Sequence, residues 1–301
     1  MSANASKKVI IAALIGNAAI SITKFFAAFT TGSSAMLSEG IHSLVDTGNQ
    51  VLLLYGMKQA KQPADEEFPF GHGKEIYFWS FVVAILIFAV GSGVSIYEGI
   101  HHVLHPVEIE NPMVNYVVLG LALVFEGGAW FFAFKEFGKV KGSRGYIEAV
   151  QRGKDPSMFV VLFEDSAAML GLLIALLGIW LTQVTGIAVF DGIASILIGC
   201  ILGGTAIWLA VETKGLLIGE GANKEVIASI RQLTESIEEV EKVNELLTMH
   251  MGPEFILVNI SIRFKRGQRI REIESVIGEI DSAIKAEHET VKRVFIEAEA
   301  A

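Results

Sequence analysis

Apolar residues run in six long blocks through the first two thirds of the chain, approximately 9–30, 35–57, 76–103, 113–134, 157–182 and 187–210. At a rise of 1.5 Å per residue, each block can cross ~30 Å of hydrocarbon as a helix. The connections around Thr30 to Ser34 and at Thr185-Gly186 are very short, so the helices on either side pair antiparallel. From Lys214 the pattern changes. Val258, Ile260 and Ile262 alternate with Asn259, Ser261 and Arg263, the period of a half-buried strand. Ile273, Val276, Ile277, Ile280 and Ile284 recur at helical spacing. The tail reads as helix (225–237), strand (245–251), strand (256–264), helix (270–287) and strand (291–297). That order predicts a small α+β layer with its helices on one face. The expected fold is an α-helical membrane protein with six transmembrane helices over 1–213 and a C-terminal α+β domain over 214–301.

Lys and Arg give this pattern a direction. They occur at the N-terminus (Lys7, Lys8), in the second connection (Lys58, Lys61, Lys74) and in the fourth (Lys135, Lys139, Lys141, Arg144, Arg152, Lys154). The first, third and fifth connections have none. Both termini and the even-numbered connections are therefore expected in the cytoplasm of a cell whose inner or plasma membrane holds the protein. No small-residue cleavage site follows the first apolar block, which reads as a retained helix. With 52% hydrophobic residues the chain is too apolar for an ordinary soluble domain. A net charge of −9 argues against nucleic acid as a partner. The single cysteine, Cys200, excludes a disulfide framework and a thiolate cluster.

The candidate chemistry lies inside the apolar blocks, where ionisable groups are costly and functional by default. The second block carries Glu39, His42, Asp46 and Asn49, whose spacing of three, four and three puts them on one helix face. An imidazole one turn from a carboxylate can bind a transition metal from one side. The fifth block carries two adjacent acids, Glu164 and Asp165, which need a cation. Ser166, Ala167, Ala168 and Gly171 beside them let another helix approach closely. Lys24 is expected to pair with a carboxylate or to snorkel. Glu126 and Asp191 read as lone carboxylates facing the bundle interior. His101, His102, His105, Glu108 and Glu110 in the third connection fit a polar interfacial loop better than a metal-attracting mouth.

His42-Ser43-Leu44-Val45-Asp46, Phe70-Gly71-His72-Gly73-Lys74, the acidic fifth helix, six spans and an α+β tail together resemble the cation diffusion facilitators. The run from Asp155-Pro156-Ser157 to Glu164-Asp165-Ser166-Ala167-Ala168 resembles the family's mitochondrial branch. The resemblance implies a homodimer in the lipid bilayer, a ferredoxin-like cytosolic tail that dimerises, and export of divalent transition metals, usually in exchange for protons. It also implies a tetrahedral site with two ligands from helix two and two from helix five. His42, Asp46 and Asp165 stand at three of those positions, and the fourth falls on Val161. Glu164, Asn49 or water is left to complete the coordination. A harder donor set shifts preference from Zn²⁺ toward Mn²⁺, Fe²⁺ or Co²⁺. Since Asp165 matches the family position, it is expected to point inward, with Glu164 at the edge of the site.

The family's second site maps onto Asp65, Phe68 and His72, one ligand being lost to Phe. The tail offers only His250 and His288 with Glu297 and Glu299, so it is expected to dimerise without a metal cluster. No resident cofactor is implied; the metal is cargo. An embedded metal hydrolase would carry a motif such as HExxH, which is absent. A passive channel would carry a filter-like ring, and none is seen. The reading is a transporter and not an enzyme. Its mechanism is alternating access, with His42 the natural titrating group near neutral pH.

Overall fold

The computed structural model describes residues 3–107, 111–141 and 145–299. The chain divides into two compact units. One comprises Met1–Lys58, Ile76–Gln151 and Pro156–Lys214, and the other Gln59–Glu75, Arg152–Asp155 and Gly215–Ala301.

The first unit is helical. Its elements are α1 (Ala3–Thr31), α2 (Ser34–Gln59), α3 (Glu75–Leu86), α4 (Gly93–Leu104), α5 (Pro112–Lys141), α6 (Tyr146–Gln151), α7 (Pro156–Thr185) and α8 (Val189–Ile218). α3 and α4 are one continuous rod interrupted by a π-helical turn, Ile87–Ser92. Five helical stretches are long and apolar enough to cross a membrane: Leu14–Thr31, Glu75–Leu104, Pro112–Lys139, Phe159–Thr185 and Val189–Ile218. The chain is thus a multi-span membrane protein. α2 has 26 residues but is too rich in polar side chains to join the five on apolarity. Those polar groups are turned inward: Glu39, His42, Asp46 and Asn49 are all buried. The apolar surface faces outward instead, as at Leu44, Val51, Phe88 and Phe125. That is the inversion expected when lipid replaces water as solvent.

The link between α1 and α2 depends on Gly32. It adopts φ +70°, and its N–H closes α1 onto the Ala28 carbonyl at 2.9 Å. Only glycine takes that conformation cheaply, and it stops α1 as a helix C-cap. Lys135, Lys139 and Lys141, expected in a connection, instead continue α5 by two turns. Arg144 of that connection, and Glu108 and Glu110 of the third, lie outside the described residues. The short α6 has too few residues to show an apolar period in sequence.

The second unit contains α9 (Lys224–Glu235), β1 (Val240–Gly252), β2 (Phe255–Phe264), α10 (Ile270–Glu287) and β3 (Val291–Ala298). The expected helix-strand-strand-helix-strand order is present. β1 pairs antiparallel with β2, and β2 parallel with β3, in the order β1-β2-β3. The apolar positions read from sequence are core positions: Val258, Ile260 and Ile262 are fully buried with Ile280 and Ile284 of α10 and Ile230 of α9, while Ser261, expected on the open face, is buried as well and donates to Glu299. The result is a mixed α/β domain with one core. Its candidate donors are occupied locally. His288 Nε2 lies 2.9 Å from Ser229 Oγ, Glu297 accepts from Asn259, and Glu299 accepts from Ser261. His250 is buried, and burial pushes its imidazole below the ordinary value.

The segment 59–75 belongs to this unit. Asp65 Oδ1 accepts the Phe68 N–H at 2.6 Å, and Oδ2 lies 3.0 Å from His72 Nε2. The Phe68 N–H, and then His72, hold the Asp65 carboxyl below its ordinary value. Gly73 meets the backbone of Met251 and Gly252 so closely that an added Cβ would collide with the Met251 carbonyl. This close approach explains the glycine after His72.

Candidate metal-transport site

α2 is positioned at its N-terminus by a carboxylate from α8. Asp191 Oδ1 accepts the Ser33 hydroxyl at 2.6 Å. Its Oδ2 accepts the Ser34 N–H at 2.5 Å, the Ser34 hydroxyl at 2.8 Å and the Ala35 N–H at 3.3 Å. The expectation that Asp191 is a lone carboxylate is therefore corrected. Backbone donors at a helix start are otherwise unsatisfied, and an anion there is favoured by the helix dipole. Asp191→Ala removes the cap and leaves the Ser33 and Ser34 hydroxyl donors without their acceptor. It is expected to destabilise the protein by about 3 kcal/mol. Thermal unfolding of the full chain in detergent, with amide exchange at 34–35, checks this.

Below the cap, the face predicted from spacing is present, but it is divided between two tasks. Glu39 Oε2 is paired with Lys24 at 2.9 Å, and Lys24 also reaches Glu126 Oε1 at 2.9 Å. The pairing of Lys24 answers that expectation, and Glu126, like Asp191, is not a lone carboxylate. Glu39 thus belongs to a charge cluster. Asp46 and Asn49 meet α7, and His42 stands one turn from Asp46.

These three are 1%, 4% and 0% exposed. His42 Nδ1 lies 3.2 Å from Asp46 Oδ1, one turn along the helix. Neither atom makes a hydrogen bond there, nor does His42 Nε2 or Asn49 Oδ1. Buried polar atoms without partners are rare, and each is expensive. Lone pairs gathered in this way suit a cation, which supplies the missing partner to imidazole and carboxylate at once. α2 thus presents an imidazole, a carboxylate oxygen and an amide oxygen without hydrogen bonds on one buried face.

α7 brings Glu164. Its Oε1 accepts from Asn49 Nδ2 at 2.5 Å, it is 2% exposed, and its carboxyl is within hydrogen-bonding reach of Asp46. Asp165 is less buried than Glu164 and acts on Asp46 through its charge. This differs from the expectation that Asp165 points inward and Glu164 lies at the edge. The reason is the rotation of α7, which two further contacts fix. The Trp130 N–H of α5 donates to Ser166 Oγ at 2.9 Å. Gly171, seven residues from Glu164 and so on the same face, meets Glu39 of α2. With Ser166 held toward α5 and Gly171 against α2, Glu164 faces α2 and Asp165 falls between the two directions. Val161, one turn before Glu164, is buried and offers no donor. Among the described residues, no three His, Cys, Asp or Glu side chains are already gathered around one point.

The model of the cation efflux transmembrane domain matches residues 10–218. The chain is 35% identical over 247 residues to the mitochondrial proton-coupled zinc antiporter SLC30A9 of Xenopus laevis. That match covers 81% of this chain and 44% of the relative. The human protein of the same name is 33% identical over the same length. The manganese efflux system protein MneP of Bacillus subtilis is 24% identical over 298 residues, covering 97% of this chain and 95% of that protein. The chain spans less than half the length of the vertebrate relatives it matches. From the family domain that occupies most of its helical unit, and from these similarities along most of its length, the chain belongs to the cation diffusion facilitator family.

Proposed function

We propose that this protein carries divalent transition-metal ions across a membrane, out of the cytoplasm and in exchange for protons. Six helices cross the bilayer, α2 being the polar one among them. Both termini and the α/β domain lie in the cytoplasm, and the ferredoxin-like tail joins two copies into a homodimer. The observation that carries the reading is the set of buried atoms on α2 without hydrogen bonds, His42 Nδ1 and Nε2 and Asp46 Oδ1, on the face that meets the Glu164 carboxyl of α7 through Asn49. A metal entering this site displaces protons, since its ligands must be deprotonated. Rocking of the helices then exposes it to the other side, where protons compete it off.

The donors are one imidazole and several oxygens. Imidazole suits zinc, and carboxylate with amide oxygen suits harder ions. The names of the relatives point to both cargoes, zinc for the antiporter and manganese for the efflux protein. Zn²⁺ and Mn²⁺ are the cargoes to be tried first, with Fe²⁺ and Co²⁺ after them. The test is flux in liposomes containing the purified protein and a pH dye. Metal addition should drive opposite proton movement, and collapse of the pH gradient should slow metal uptake. Metal flux indifferent to the gradient would instead indicate a passive pathway.

A further inference from the structure

Beside the metal-facing residues, three charged side chains from α1, α2 and α5 meet inside the helical unit. Lys24 Nζ donates to Glu39 Oε2, Ser43 Oγ and Glu126 Oε1, each at 2.9 Å. Lys24 and Glu39 are fully buried, and Glu126 is 9% exposed. An ammonium has three donors, and all three are used. Two carboxylates against one ammonium leave one negative charge in excess. Each carboxylate also keeps one oxygen, Glu39 Oε1 and Glu126 Oε2, that is buried and has no hydrogen-bond partner.

An uncompensated charge in a dry interior is strongly destabilising. Its surroundings do not neutralise it. Asp46 of α2 and Asp165 of α7 feel the charge of Glu126, Glu164 of α7 adds to theirs, and His42 of α2 feels that of Lys24. The free oxygen of Glu39 is held in place from the far side. It rests against Gly171 of α7, where an added methyl group would collide with it. Two buried, partnerless carboxylate oxygens are enough for a proton. They are too few for a bound metal cation, which takes six or more oxygens when hard.

We propose that the Lys24–Glu39–Glu126 triad is a proton site distinct from the metal ligands. It holds one proton on one of its two free carboxylate oxygens and gives it to solvent when a divalent cation arrives between α2 and α7. When the proton leaves, the carboxyl returns to carboxylate and stays paired with the Lys24 ammonium, while the arriving cation offsets the added negative charge. Only the second half of this proposal rests on the metal-transport reading.

The test uses the full chain in detergent, with Glu126→Gln and Glu39→Gln side by side. Either change leaves a balanced lysine–carboxylate pair and removes the need for the proton. Infrared difference spectra across pH should show, in the unsubstituted protein, a buried carboxylic-acid C=O component that grows on acidification and is missing from both variants. Calorimetric Zn²⁺ titrations in buffers of different ionisation enthalpy should show about one fewer proton released per zinc in each variant, with zinc still bound. No such component in the unsubstituted protein, or unchanged proton release in both variants, overturns the proposal. Removal of the component by Na⁺ at constant pH assigns the site to a metal cation and overturns it as well. If the unsubstituted protein binds no zinc, the transport reading fails, and the infrared arm still decides whether the triad takes a proton.

Discussion

Asp46→Ala is expected to abolish transport and to weaken Zn²⁺ binding by more than ~100-fold. Groups that merely orient a ligand already cost 10- to 100-fold in metal affinity when removed, and Asp46 is placed to donate directly. It stands one turn from His42 and faces the Glu164 carboxyl, so it belongs to both halves of the site. The fold should survive, because the change removes one of two acids that oppose each other in a dry interior. Binding by calorimetry, transport in liposomes and the unfolding midpoint of one preparation check the three parts together. Transport at the unsubstituted rate would contradict the site.

Glu164→Gln is expected to be nearly as damaging, and clearly more so than Asp165→Asn. Glutamine can keep the bond from Asn49 but lacks the charge that a cation at Asp46 requires. A loss of ~100-fold in metal affinity is expected for Glu164→Gln, and ~10-fold or less for Asp165→Asn, whose carboxyl acts on Asp46 through its charge. The reverse order would mean that α7 turns about its axis when metal binds, carrying Asp165 inward. Parallel binding titrations with Zn²⁺ and Mn²⁺ decide this.

Much of the helical unit is legible from hydropathy, because lipid-facing and buried positions are both apolar and the blocks are long. Every expected apolar block coincides with a helix or, at Glu75–Leu104, with a rod broken by one π-helical turn. That turn leaves no trace in hydropathy, since it changes hydrogen bonding without changing side-chain polarity. The tail is legible for another reason. One face of its middle strand packs on the core, so Val258, Ile260 and Ile262 alternate with polar residues in sequence, although Ser261 is buried too. What spacing does not fix is rotation and partnership. His42, Asp46 and Asn49 share a face by helix geometry alone, whichever helix they meet. The choice between Glu164 and Asp165 depends on contacts of Ser166 with Trp130 and of Gly171 with Glu39, which join distant parts of the chain. The partners of Lys24 and Asp191 are hidden for the same reason. One reaches Glu126, 102 residues away, and the other caps a helix 157 residues earlier.

The central claim is that one imidazole and a set of oxygens from α2 and α7 hold the cargo. X-ray absorption at the zinc edge, on the full chain loaded with one equivalent of Zn²⁺, tests it directly. The expected first shell has a single imidazole nitrogen with oxygens in the remaining positions, and the imidazole signal disappears in His42→Asn. Two or more imidazoles, or an imidazole signal that persists in His42→Asn, would place the metal elsewhere and contradict the account.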